Sequence, residues 1–136
     1  MVTMLDIRAI THEDYDSTLV NWWKDWGWTP PTRDFLPLNG TGGLMVFDGD
    51  TPVCAGFIYA TNSAVAWVDW IISNKNYRDN RAEAIELLLS SLTSVAQGSG
   101  AKIAYALIKH QGLISSYEKF GYIKGDAYNT EMIKVF

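Results

Sequence analysis

A carboxylate set between two indoles is the first group in this chain placed to do chemistry. Asp69 stands in the run Trp67-Val68-Asp69-Trp70-Ile71, where burial beside aromatic rings raises a carboxyl pKa and fits it to take a proton. A hydrogen-bonded structural aspartate near a sheet surface has the same sequence. Just beyond, Lys75, Arg78 and Arg81 put three cations ahead of a long run with helical spacing, and helix N-termini attract anions. The spacing allows a phosphate site or a solvated basic turn in which Glu83 complements the helix dipole. Tyr117 carries a phenol that donates a proton without a permanent charge; packed by its ring, it is a core tyrosine. His110 begins a short helical run, as a proton relay or as a cap.

Other side chains close off alternatives. Cys54 lies between Val53 and Ala55 in an apolar run and reads as a small buried hydrophobe. As the single cysteine it forms no internal disulfide, which suits a reducing compartment, and no activating motif joins it to His12 or His110. Two histidines without matching carboxylate spacing give no metal site. Gly40 to Gly43 lacks the Lys-Ser/Thr of a nucleotide P-loop. A net charge of -4 is the wrong sign for a surface that neutralises a polyanion, so nucleic acid is not an expected partner. Met1 to Ile10 carries Asp6 and Arg8 without a signal-peptide core, and no run nears the ~20 apolar residues of a membrane span. The expectation is a cytoplasmic protein with no membrane partner.

A chain of 136 residues, 48% hydrophobic, suits one domain over residues 1–136. Met4 to Ile10 alternates as a half-buried strand. Thr11 and Asp14 have N-cap spacing, and Tyr15, Leu19, Trp22, Trp23 and Trp26 recur at helical steps until Gly27. Trp28 to Leu38, broken by Pro30 and Pro31, is loop or short helix. Leu44–Phe47 and Pro52–Ala60 form a hairpin across Asp48-Gly49, and 64–72 extends the meander. A helix with Ala82, Ile85, Leu88, Leu89, Leu92, Val95 and Ala96 on one face ends at Gly98-Ser99-Gly100. A strand over 102–108 then implies a parallel pair with 64–72 by a right-handed crossover. Leu113, Tyr117 and Phe120 mark a last helix, and Tyr122–Gly125 with Thr130–Phe136 read as a terminal hairpin. The fold class is α/β in the α+β sense, a mixed and mostly antiparallel sheet flanked by helices.

That element order resembles the GNAT superfamily of N-acetyltransferases over nearly the whole chain. Two runs carry the resemblance: Ile71-Ile72-Ser73-Asn74-Lys75-Asn76-Tyr77-Arg78, similar to the end of the family's fourth strand and its acetyl-CoA loop, and Tyr117-Glu118-Lys119-Phe120-Gly121-Tyr122, similar to the run after its last long helix. The Trp-rich segment also resembles small GNAT-type proteins of bacteriophages. The resemblance implies acetyl-CoA held by Ile71, Ile72, Ser73, Arg78, Asn80, Arg81, Ala82, Glu83 and Ala84, with His110 at the mouth of the last helix. It implies Tyr117 as the acid toward the CoA sulfur and Asp69 as the base or water holder. The family's small loop positions fall on Ala82 and Ala84 if the loop is one residue longer here, which also sets Leu87-Leu88 at the paired leucines. Without that extra residue they fall on Arg81 and Glu83. No glycine stands at either pair, so a GNAT-like binding or structural protein that has lost catalysis is the competing expectation. Trp22, Trp23 and Trp26 fit a core stripe, whereas Trp28, with Trp26 at its side, falls where GNAT members build the acceptor wall. A loop plug or a homodimer contact is the alternative for Trp28.

Overall fold

The computed structural model describes residues 4–136; residues 1–3, the start of the N-terminal stretch discussed above, lie outside the described residues. Five strands, β1 (Leu5–Ala9), β2 (Gly43–Asp48), β3 (Thr51–Ala60), β4 (Val65–Ser73) and β5 (Ile103–Tyr105), form one sheet in the order β1-β2-β3-β4-β5. All neighbours are antiparallel except β4 and β5. The parallel pair follows from its connection, helix α3 (Arg81–Gly98), which carries the chain back across the sheet. Ala84, Leu88, Leu89, Leu92 and Ala96 of α3 are buried against Val46, Val53, Cys54, Ala66 and Val68. Helix α4 (Gln111–Glu118) joins this core through Tyr117. Among the described residues no helix is long and apolar enough to cross a membrane.

The opposite face is covered by the tryptophan-rich segment. A single helix was expected there; the segment is instead α1 (His12–Asp14), a π-helical turn (Tyr15–Leu19) and α2 (Val20–Asp25). The Val20 amide reaches the Tyr15 carbonyl, widening one turn and keeping Leu19, Trp22 and Trp23 buried over Met45, Ala55 and Phe57. Gly27 ends α2 at φ +79°, with the Trp28 amide on the Trp23 carbonyl and the Gly27 amide on Lys24. This is a Schellman closure, and it needs a left-handed residue. Gly27→Ala is therefore expected to cost about 1 kcal/mol, seen as a lower midpoint in chemical denaturation.

The entry to α1 is held by Arg8, whose guanidinium donates to both carboxylate oxygens of Asp14 at 2.7 and 3.1 Å, while the Thr11 amide donates to the same carboxylate. Burial pushes the Asp14 carboxyl up, but the Arg8 and Thr11 bonds outweigh it and leave the pKa below its ordinary value. A depressed carboxylate stabilises the fold above its unfolded pKa, and the contribution is lost as pH falls through the folded one. Asp14→Asn is expected to lose about 2 kcal/mol at pH 7 and to flatten the decline in stability below about pH 4; urea melts at several pH values check it.

Two expectations fail at the C-terminal side. β5 spans only Ile103–Tyr105 instead of 102–108, and Tyr122–Gly125 and Thr130–Phe136 form no hairpin. Alternation specifies the face a strand would bury, but a ladder also needs an adjoining edge. Ile123, Met132, Val135 and Phe136 stay exposed. At the other edge of the core, Gly43 pairs with the Phe57 neighbourhood so closely that a Cβ on it would lie 2.0 Å from the Gly56 carbonyl oxygen.

Candidate active site

The site forms where β4 and β5 part. Their pairing ends at Trp67 and Tyr105, while β4 runs on to Ser73. Opposite β3, the register slips between Ala55 and Phe57, giving β4 one extra residue at Trp70, whose φ is +58°. This bulge reverses the alternation. Ala66 and Val68 face α3 before it, as Ile71 does after it, and Asp69 and Trp70 both turn toward the tryptophan-rich face. A bulky residue held at positive φ is a strained feature, and such strain gathers at functional sites.

Asp69 bridges the parting strands. One carboxylate oxygen accepts the Trp70 amide at 3.0 Å and the other the Leu107 amide at 3.3 Å. Burial lifts its pKa above the ordinary carboxylate value, against those two bonds. On the other side of β4, Tyr117 donates its hydroxyl to the Val68 carbonyl at 2.7 Å. Its pKa is pushed far up by burial and, secondarily, by the Asp69 charge, so the phenol stays protonated. The Asn74 amide bonds Val53 of β3, and the Ser73 carbonyl, on the opposite side of the strand, accepts the Trp26 indole at 2.8 Å. By alternation the Ser73 and Ile71 amides point into the gap, and the Ile72 amide points to β3.

The loop leaving β4 is stapled before it enters α3. Arg81 donates to the carbonyls of Tyr77, Asn74 and Lys75, each at 3.0 Å. Lys75 reaches the Asp25 carbonyl and lies 5.4 Å from the Trp26 ring centre. Asn80 is the N-cap residue without a side-chain cap bond, and its carbonyl takes the Ala84 amide. The Ala82 and Glu83 amides find no acceptor among the described residues. Arg78, three residues before α3, is exposed and makes no ion pair among the described residues.

No family model matches the sequence, and no curated protein sequence matches it. Solved structures do match. The chain is similar to the ribosomal-protein-S18-alanine N-acetyltransferase of Escherichia coli at TM-score 0.73 and 12% identity, covering 90% of this chain and 80% of that one. It is similar to an acetyltransferase of Trypanosoma brucei at TM-score 0.66 and 14% identity, over 95% and 99% of the two chains. It also resembles an aminoglycoside acetyltransferase from an uncultured soil metagenomic sample, solved with sisomicin, at TM-score 0.67 and 9% identity, over 96% and 97%. The chain has the GNAT fold.

On that GNAT frame the sequence-derived residues divide. Asp69, Tyr117, Ile71 and Ser73 come together at the strand gap. Ala82 and Glu83 open the first turn of α3, and Arg78 precedes it with its carbonyl on the Arg81 amide. Three of the residues are engaged within the fold: Ala84 is core with its amide bonded, Arg81 closes its own loop, and Ile72 is buried with its amide toward β3 by alternation. Each engagement has one cause, since backbone groups inside the domain require partners and these residues supply them. His110 is the N-cap residue of α4 by position; its carbonyl accepts the Leu113 and Ile114 amides and its ring is exposed. Trp26 is half-buried rather than core and stacks on the exposed Trp28, with ring centres 6.1 Å apart. Trp26 joins this pair to the loop through Ser73 and Lys75, and it packs against the same core cluster as Trp70. The aromatic groups around Asp69 include Phe35, Tyr59 and Tyr105, which sequence reading missed. Period-two spacing from Phe57 signals Tyr59, but no local signal marks Phe35. Cys54 is fully buried, and burial pushes its thiol up to about 12, so it is no nucleophile.

Proposed function

We propose that this chain is an acetyl-CoA-dependent N-acetyltransferase. The observation that carries the reading is the convergence of the Asp69 carboxylate, the Tyr117 hydroxyl and the Ile71 and Ser73 amides at one gap in the sheet. The residues fit the group: the Ile71 and Ser73 amides turn by alternation toward the gap a pantetheine arm would enter, and Ala82, Glu83 and Arg78 offer donors for a pyrophosphate. Acetyl-CoA supplies an acetyl group activated as a thioester. An ammonium beside Asp69 would first pass one proton to solvent through that carboxylate, and the free amine would give Asp69 a second as its nitrogen bonds the acetyl carbon. The Ile71 and Ser73 amides face the charge developing on the acetyl oxygen. Tyr117 would give its proton to the departing sulfur, and exchange with solvent would return Asp69 and Tyr117 to their starting states. The products are an amide and free CoA thiol. The single buried thiol agrees with a reducing, cytoplasmic setting.

Steady-state release of CoA thiol with an amine panel tests this, and every active amine should yield its N-acetyl product. Because Asp69 must be ionised to accept a proton and its pKa is raised, kcat/KM should climb with pH through a limb displaced above the ordinary carboxylate range. Asp69→Asn should abolish that limb. A second reading, a GNAT-fold protein without catalysis, draws on Glu83, whose carboxylate stands at the same helix end as the two open amides. It predicts no thiol release with any amine.

A further inference from the structure

We infer that the acceptor is a small monoamine borne on an aromatic body, an arylalkylamine; this rests on the acetyl-transfer reading and deepens it. The bulge at Trp70 gathers aromatic side chains about one carboxylate on one face of the sheet. Trp67 shares that face with Asp69, and its cross-strand partner Tyr59 shares it too. Tyr105 lies against Trp67 with ring centres 4.9 Å apart. Phe35 meets Trp70 edge-on at 5.7 Å, and its carbonyl accepts the Tyr59 hydroxyl at 3.0 Å. Trp70 is braced from behind by Trp23, also edge-on, at 6.2 Å. The outermost rings, Phe35 and Tyr105, keep 53% and 43% of their surface exposed beyond these contacts.

An ammonium fits here on two counts, the Asp69 carboxylate and the negative faces of the rings. What it is attached to must be apolar, because rings cover the surface around the charge. A polyamine would press its further ammonium groups against rings that offer no carboxylate, at the cost of their hydration. Asp34, the acidic neighbour of Phe35, is exposed and engaged by the Thr32 hydroxyl. Shape and charge therefore agree on one cation followed by an aromatic group.

The test is calorimetric titration of cofactor-free protein with tryptamine, with spermidine for comparison. Tryptamine is expected to bind about tenfold more tightly than spermidine, and Tyr105→Ala and Phe35→Ala each to weaken it about fivefold, with Tyr105→Phe restoring the parent affinity. Both residues lie at the surface, so thermal melts of the alanine variants should match the parent. Absence of tryptamine heat, spermidine binding as tight as tryptamine, or alanine variants of parental affinity would overturn the inference. A separate acetyl-CoA titration reports on the cofactor reading, so failure of one is distinguishable from failure of the other.

Discussion

Tyr117→Phe is expected to lower kcat for acetyl transfer about 100-fold while changing acetyl-CoA affinity less than about threefold. The ring is nearly fully buried and packs edge-on against Tyr122 at 4.9 Å, so phenylalanine keeps the packing and removes only the hydroxyl. That hydroxyl sits on the Val68 carbonyl, one residue before Asp69 and directly at the parting of β4 and β5. Its loss leaves a buried carbonyl without its partner, at about 1–2 kcal/mol of stability. A melt lowered by that amount with kcat unchanged would identify a structural tyrosine only. The raised phenol pKa adds a second readout: with the proton held at all accessible pH, the parent pH–rate profile should carry no basic limb from Tyr117.

Gly43→Ala is expected to remove at least about 3 kcal/mol of stability, enough to leave much of the protein unfolded at 37 °C. The added methyl would meet a carbonyl oxygen and carbon of Gly56, at 2.0 and 2.9 Å, and backbone in the middle of a sheet cannot step aside as a flexible side chain can. Relief would require β2 to separate from β3 just where β3 lies opposite the bulge that places Asp69 and Trp70. Acetyl transfer should therefore fall together with stability. Thermal denaturation checks it, and a melting temperature within about 2 °C of the parent would refute the close approach.

The sequence made the sheet legible because its signals are local. Asp48-Gly49 between apolar runs marked the β2–β3 hairpin, and a helix between 64–72 and 102–108 required a parallel pair. Asp69 stood out in the sequence by its place between two indoles, and Tyr117 only through the GNAT resemblance. The bulge was not legible, because the slip of register at Trp70 depends on β3 opposite, and no spacing within Trp67 to Ser73 encodes it. For the same reason the aromatic surround of Asp69 was out of reach. Phe35 enters from a short 3-10 turn (Arg33–Phe35) more than thirty residues earlier and Tyr105 from beyond α3, and only the fold brings them to Trp70 and Trp67. Arg81 shows the reverse failure: its charge and position before a helix suggested a phosphate ligand, yet three loop carbonyls needing donors claim its guanidinium. The terminal hairpin failed because alternation in Thr130–Phe136 says nothing about whether an edge lies within reach.

Titration of the protein with acetyl-CoA in a calorimeter tests the cofactor site most directly. Saturable binding in the micromolar range is predicted, weakened about tenfold by Arg78→Ala, an exposed cation just ahead of the open Ala82 and Glu83 amides. No heat at millimolar acetyl-CoA would contradict it.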